Sequence, residues 1–137
     1  MIEYKKLKPS LGEYKLLFES TGWTASISIS DETLQAAIDN SWHWISAFDA
    51  GRLVGIGRLI SDGALYAFVC DMIVLPGYRK RGVGTEILKL LKEKCSTFNI
   101  QRVWLFAAAG VSEFYVKNGF AKRPGDAPGM QMIDPSR

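Results

Sequence analysis

At 137 residues, with 47% apolar and 23% charged residues and seven Phe, four Trp and five Tyr, the chain has the make-up of one folded globular domain, 1–137, and not of a disordered tail. Its net charge of +3 is too small to argue for nucleic acid, and no window approaches the roughly 18 apolar residues of a membrane span. The start, Met1 to Lys6, lacks the apolar run of a signal peptide, so a cytoplasmic location is expected.

Ile2 to Leu7 alternates and predicts a first, edge strand. Ser10 and Glu13 have capping-box spacing ahead of a helical stripe of Leu11, Tyr14, Leu17 and Phe18, which Gly22 and Trp23 break. A polar, serine-rich stretch from Thr24 leads to a second cap, Ser30-Asp31-Glu32, with Leu34, Ala37 and Ile38 as the apolar face. From Trp42 to Phe48 the period is two. Asp49-Ala50-Gly51 then turns the chain into a strand from Leu53 to Ile60, and Ser61-Asp62-Gly63 turns it again.

The next stretch, Tyr66 to Leu91, organises the rest. Tyr66 to Val74 is apolar except for Asp71, as expected of a strand covered on both faces. Leu75-Pro76-Gly77 ends it, and Arg79, Lys80, Arg81 and Gly82-Val83-Gly84 lead into a helix reaching about Thr97, with Val83, Ile87, Leu88 and Leu91 on one face. A helix start carries unpaired N–H groups and roughly half a positive charge. Glycines there clear the way to those amides, and adjacent cations add charge, so the loop suits a pyrophosphate. A Walker loop is excluded because Val83, not lysine, follows Gly82, and a dinucleotide fingerprint because Ile87 stands where its third small residue would be.

Gln101 to Ala107 predicts a buried strand, parallel to the central one through a right-handed crossover. Ser112 can cap a short helix with Phe114, Tyr115 and Val116, ended by Asn118-Gly119. Phe120-Ala121 begins a further strand, Pro124 to Gly129 is a loop, and Met130 to Ile133 has the length of a last short strand. Cys70 and Cys95 are expected as free buried thiols, and with His43 as the single histidine no metal site is expected.

The string Val74-Leu75-Pro76-Gly77-Tyr78-Arg79-x-x-Gly82-x-Gly84 resembles motif A of the GNAT superfamily of acyl-CoA N-acyltransferases, and Phe114-Tyr115-x-x-x-Gly119-Phe120 resembles its motif B. The resemblance covers the whole chain. It implies a mixed α/β (α+β) fold with a mostly antiparallel sheet of about six or seven strands and about four helices. It also implies acetyl-CoA as co-substrate and a small-molecule amine as acceptor, with no nucleic acid or membrane partner and room for a homodimer. By position it gives the pyrophosphate to Arg79, Lys80, Arg81, Gly82, Val83, Gly84 and Thr85, and the pantetheine arm to the backbone amides of Met72, Ile73 and Val74. Ser112, Phe114 and Tyr115 complete that side of the site. One departure is Ala108, where many members have an asparagine that bonds the arm; Ser112 is the candidate replacement. The run FYVKNGF, with its proline-glycine loop and Gly129-Met130, looks like that of small bacterial and plastid-type members acting on arylalkylamines or related amines.

Acyl transfer to an amine needs a neutral amine, donors for the oxyanion and a proton for the leaving thiolate. A lysine-like amine with a pKa of about 10.4 costs about 4–5 kcal/mol to hold neutral at pH 7 without help. Tyr115 is the candidate acid, against a reading as core tyrosine. A backbone N–H of the central strand is the candidate oxyanion donor. Asp71 is the candidate base or amine-binding group, or else one half of an ion pair with Arg58 or Arg102. His43 reads as structural or as a second base, and Trp23, Trp42 and Trp44 as core or as an aromatic acceptor pocket.

Overall fold

A computed structural model describes residues 1–23 and 28–134. The polar run expected from Thr24 therefore begins outside the described residues. Two compact units are formed, Met1–Leu105 and Phe106–Arg137.

The first unit is a five-stranded sheet in the order β1 (Ile2–Lys5), β2 (His43–Asp49), β3 (Arg52–Ser61), β4 (Tyr66–Val74), β5 (Arg102–Trp104). All pairs are antiparallel except β4 with β5. The β2–β3 hairpin closes through Ala50 and Gly51 at φ of 49° and 81°, the positive pair that a two-residue loop needs to match strand twist. Helices α1 (Leu11–Glu19) and α2 (Asp31–Asn40) cover one face, where Tyr14, Leu17, Leu34 and Ile38 pack on Trp44, Leu53, Ile56 and Ile73. Helix α3 (Val83–Thr97) takes the other face with Val83, Ile87, Leu88, Leu91 and Cys95 buried. It rests on Gly55 and Gly57, whose neighbour Ile56 points the opposite way, as strand alternation requires. The approach is close: a Cβ on Gly57 would stand 2.7 Å from both Ile87 Cγ2 and Met72 Sδ and 2.9 Å from Leu91 Cδ1.

The second unit contains α4 (Ser112–Lys117). It ends in a Schellman cap, with Phe120 N–H donating to Tyr115 O at 3.0 Å, Gly119 N–H to Val116 O at 3.4 Å, and Gly119 at φ 93°. Val111, not Ser112, is the N-cap, and it makes no side-chain cap bond.

Mixed topology and four α-helices agree with expectation, while the sheet has five strands among the described residues and not six or seven. The difference lies at the carboxy-terminal end. β5 spans Arg102–Trp104 instead of Gln101 to Ala107 and is not buried, with Trp104 at 38% exposure. Neither Phe120-Ala121 nor Met130 to Ile133 forms a strand. Met130, Met132 and Ile133 are at least 85% exposed, so no apolar burial offsets the entropy of ordering them.

Candidate active site

The basic loop and the start of α3 form the first part of the site. After the short 3-10 turn Pro76–Tyr78, Lys80 and Gly82 take left-handed φ values of 62° and 80°, and such turns aim successive N–H groups into one concavity. Gly82 is the N-cap of α3 and supplies no side-chain bond. The first intrahelical bond is Glu86 N–H to Gly82 O at 3.1 Å, so Val83, Gly84 and Thr85 begin the helix with N–H groups that no helical carbonyl can reach. Apart from its own chain neighbours, no atom of the described residues lies within 4 Å of where a Gly82 Cβ would be. This open, uncapped start is a cradle of the kind a pyrophosphate fits. The cations divide their work. Arg79 Nε donates to Val74 O at 3.0 Å and ties the loop to β4, whereas Arg81 lies 4.9 Å over the Tyr78 ring. The Tyr78 hydroxyl is anchored to Asp49 Oδ2 at 2.6 Å.

The second part is the free edge of β4. Pairing with β5 stops at Phe68↔Trp104, so among the described residues Val69 to Val74 have a strand partner on the β3 side alone. Leu75 N–H donates to Val54 O at 2.9 Å, and Ile73 pairs with Ile56 in the same register. Alternation therefore turns the Ile73 amide toward β3 and the Val74 amide to the open edge. Of the three expected amides, Ile73 is directed away from the edge a pantetheine would use.

A bulge interrupts β4 at Asp71. The register shifts between Ile56 and Arg58, and Asp71 sits at φ 51°, a conformation a non-glycine residue seldom holds inside a strand. Its carboxylate is not a lone charge. Oδ2 accepts from Arg58 Nε and from the Tyr14 hydroxyl, both at 2.7 Å. Of the two ion-pair partners weighed from the sequence, Arg58 is the one used; Arg102 instead lies 5.5 Å over the Tyr66 ring. Burial, then the Asp71 charge, raises the Tyr14 pKa well above the tyrosine range. Burial opposes the Arg58 charge, but the Asp71 carboxylate outweighs it and the guanidinium pKa is raised.

In the second unit, Tyr115 stands one turn before the Schellman cap that receives its carbonyl, and its ring meets Phe114 at 5.1 Å and Phe120 at 6.1 Å between centroids. The Gly119-Phe120 pair of the second motif is therefore the support of Tyr115. Glycine permits the cap and Phe120 is its apolar contact. Burial raises the Tyr115 pKa.

Elsewhere the candidates separate. Trp44 is core, 5% exposed, with Nε1 donating to Ile38 O. Trp42 packs on Phe98 beneath Lys94, and Trp23 on Phe18. Among the described residues no ring contact joins Trp42 to Trp23 or Trp44. His43 Nε2 is buried without a partner, and burial, then Lys94 and Lys6, pushes its pKa down to about 4, which fits a neutral structural imidazole. Both cysteines are free, Cys95 buried and Cys70 half-buried. Among the described residues no group of His, Cys, Asp and Glu could hold a metal ion. Sequence reasoning missed Tyr14, counted as part of an apolar stripe; its hydroxyl on an otherwise apolar face was the available signal.

Residues 13–120 match the acetyltransferase (GNAT) family. The chain belongs to that family. The relative ycf52 of Pyropia yezoensis, named an uncharacterized N-acetyltransferase, is 31% identical over 125 residues, which span 88% of this chain and 70% of that one. Histone acetyltransferase TAP1 of Glycine max is 32% identical over 108 residues, 71% of this chain and 47% of the soybean protein. A solved GNAT-family acetyltransferase from Streptococcus pneumoniae matches with a TM-score of 0.81 at 31% identity, over 98% of this chain and 99% of that one. The protein is thus a GNAT acetyltransferase of mixed α/β fold. Acetyl-CoA is the co-substrate of the family and amines are its acceptors.

Proposed function

We propose that this GNAT domain transfers the acetyl group of acetyl-CoA directly, in a ternary complex, to the primary amine of a small molecule. The observation that carries the acceptor class is the Asp71 carboxylate. It lies at a strand bulge and is 12% exposed, an access that suits a slender terminal ammonium better than a bulky polar surface. The uncapped start of α3 and the open edge at Val74 support coenzyme A binding. Tyr115 serves the leaving sulfur. With its pKa raised by burial it stays protonated near neutrality, so it stabilises the thiolate by hydrogen-bond donation ahead of full proton transfer.

Release of coenzyme A is to be measured over a panel of arylalkylamines, polyamines, amino acids and lysine peptides. A free amine should be the best acceptor. Preference for a peptide over every free amine would make the protein a peptide acetyltransferase, a reading favoured by the name of the soybean relative. Binding of coenzyme A without turnover of any acceptor would reduce it to an acyl-CoA-binding module.

A further inference from the structure

Resting on the amine-acetyltransferase reading, we propose that Tyr14 and Arg58 are positioning residues that hold one oxygen of Asp71 from behind so that the other, Oδ1, meets the acceptor ammonium.

An ion pair that serves stability alone gains most by engaging both carboxylate oxygens, as a guanidinium fork readily does. Here both donors converge on Oδ2. Among the described residues no hydrogen bond is made to Oδ1, and the Asp71 side chain keeps 12% of its surface exposed. The two donors are themselves fixed. Tyr14 is 1% exposed, with Phe18 and Trp44 against its ring at centroid distances of 5.5 and 5.7 Å. Arg58 Nη1 donates to Ser41 Oγ at 3.1 Å, Ser41 donates on to Ala37 O at 2.7 Å, and the guanidinium lies 5.9 Å over the Trp44 ring. Asp71 meanwhile keeps its left-handed backbone, a strained conformation that persists where the surroundings enforce it.

The arrangement has a direction. Arginine has no acceptor atom, and Tyr14 keeps its proton because burial and the adjacent carboxylate raise its pKa. Neither can draw a proton through Asp71 to the interior, so whatever the carboxylate receives enters and leaves by Oδ1. At a distance the Arg58 and Asp71 charges cancel. Selection of a cation then depends on contact at Oδ1 and not on a long-range field, so the acceptor must be slim enough to reach it.

The test is a steady-state comparison of wild type with Tyr14→Phe and Arg58→Lys, using the best amine of the panel, with coenzyme A affinity measured by calorimetry. Tyr14→Phe removes one atom from a ring that stays packed. It should raise the amine KM about tenfold, the size expected for a hydrogen bond to a charged group, with coenzyme A affinity unchanged. Arg58→Lys, which cannot reach Oδ2 and Ser41 as a fork, should do the same. In an Asp71→Asn background, Tyr14→Phe should have no further effect on KM, because the group it positions has gone. An unaltered KM in Tyr14→Phe, or an equal further loss in the Asp71→Asn background, would return Tyr14 and Arg58 to a structural role. A wild type that turns over no amine overturns the underlying reading, and this one with it.

Discussion

Helices α1 and α3 start in opposite ways. At α1, Ser10 Oγ accepts from Glu13 N–H at 3.2 Å and Glu13 returns the bond by accepting from Ser10 N–H at 3.0 Å. α2 repeats half of this with Ser30 and Thr33. Each of those helices satisfies one amide of its first turn with its own N-cap side chain. α3, the longest, begins on a left-handed glycine with no side chain to offer, and leaves its amides to something outside the chain. A cap is worth about 1 kcal/mol to a helix. On the proposed coenzyme A reading, that stability is forgone at α3 for binding, so the two helix starts should fail differently when altered.

The largest effect is expected at Gly82. Gly82→Glu places a bulky anion where the pyrophosphate would meet the amides, so coenzyme A affinity should fall more than about 100-fold while the circular dichroism spectrum keeps its shape. Unchanged affinity by calorimetry would erase the distinction between the helix starts. Next comes Tyr115→Phe, which leaves the α3 cradle whole and removes the proposed acid. Turnover should drop roughly 10²-fold with coenzyme A affinity within a few-fold. The reverse pattern, weak binding with normal turnover, would assign Tyr115 to packing. Ser10→Ala should behave oppositely to Gly82→Glu, losing about 1 kcal/mol in denaturant unfolding with no change in ligand affinity. The gentlest effect is with pH. His43 is held neutral to about pH 4, below its ordinary value of 6.5, so the unfolded chain binds a proton there that the folded one refuses. The stability His43 contributes is full above pH 6.5 and is lost as the pH falls from 6.5 to 4. His43→Gln should flatten that slope in unfolding titrations, and an unaltered slope would place the proton elsewhere.

Much of this was legible in the chain because local signals agreed with one another. The Ser10–Glu13 spacing, the alternation through Trp44 and Ile56, and the Asp49-Ala50-Gly51 turn each name one structure, and that structure forms. The basic loop was legible because glycine, cation and helix start follow in order. The carboxy-terminal end was not. Gln101 to Ala107 and Met130 to Ile133 have strand composition, but a strand also needs an edge to pair with, and composition does not report one. The cap of α4 was misplaced by one residue because Ser112 has the right chemistry while Val111 has the right position. At Asp71 the ion pair with Arg58 was foreseeable as an alternative. The Tyr14 bond was not, because it joins residues 57 apart, and periodicity speaks only of neighbours.

Gly57 governs how the two proposed anchor points for coenzyme A are spaced. The helix that offers Val83 to Thr85 and the strand that offers Val74 belong to separate elements, and the gauge between them is a missing methyl group. With side-chain atoms of Ile87, Leu91 and Met72 all closer than 3 Å to the point where a Cβ would stand, any larger residue must push them aside and strain the seat of α3 on the sheet. The span available to a ligand gripping both is thus set beneath the floor of the site, by an atom the chain does not have.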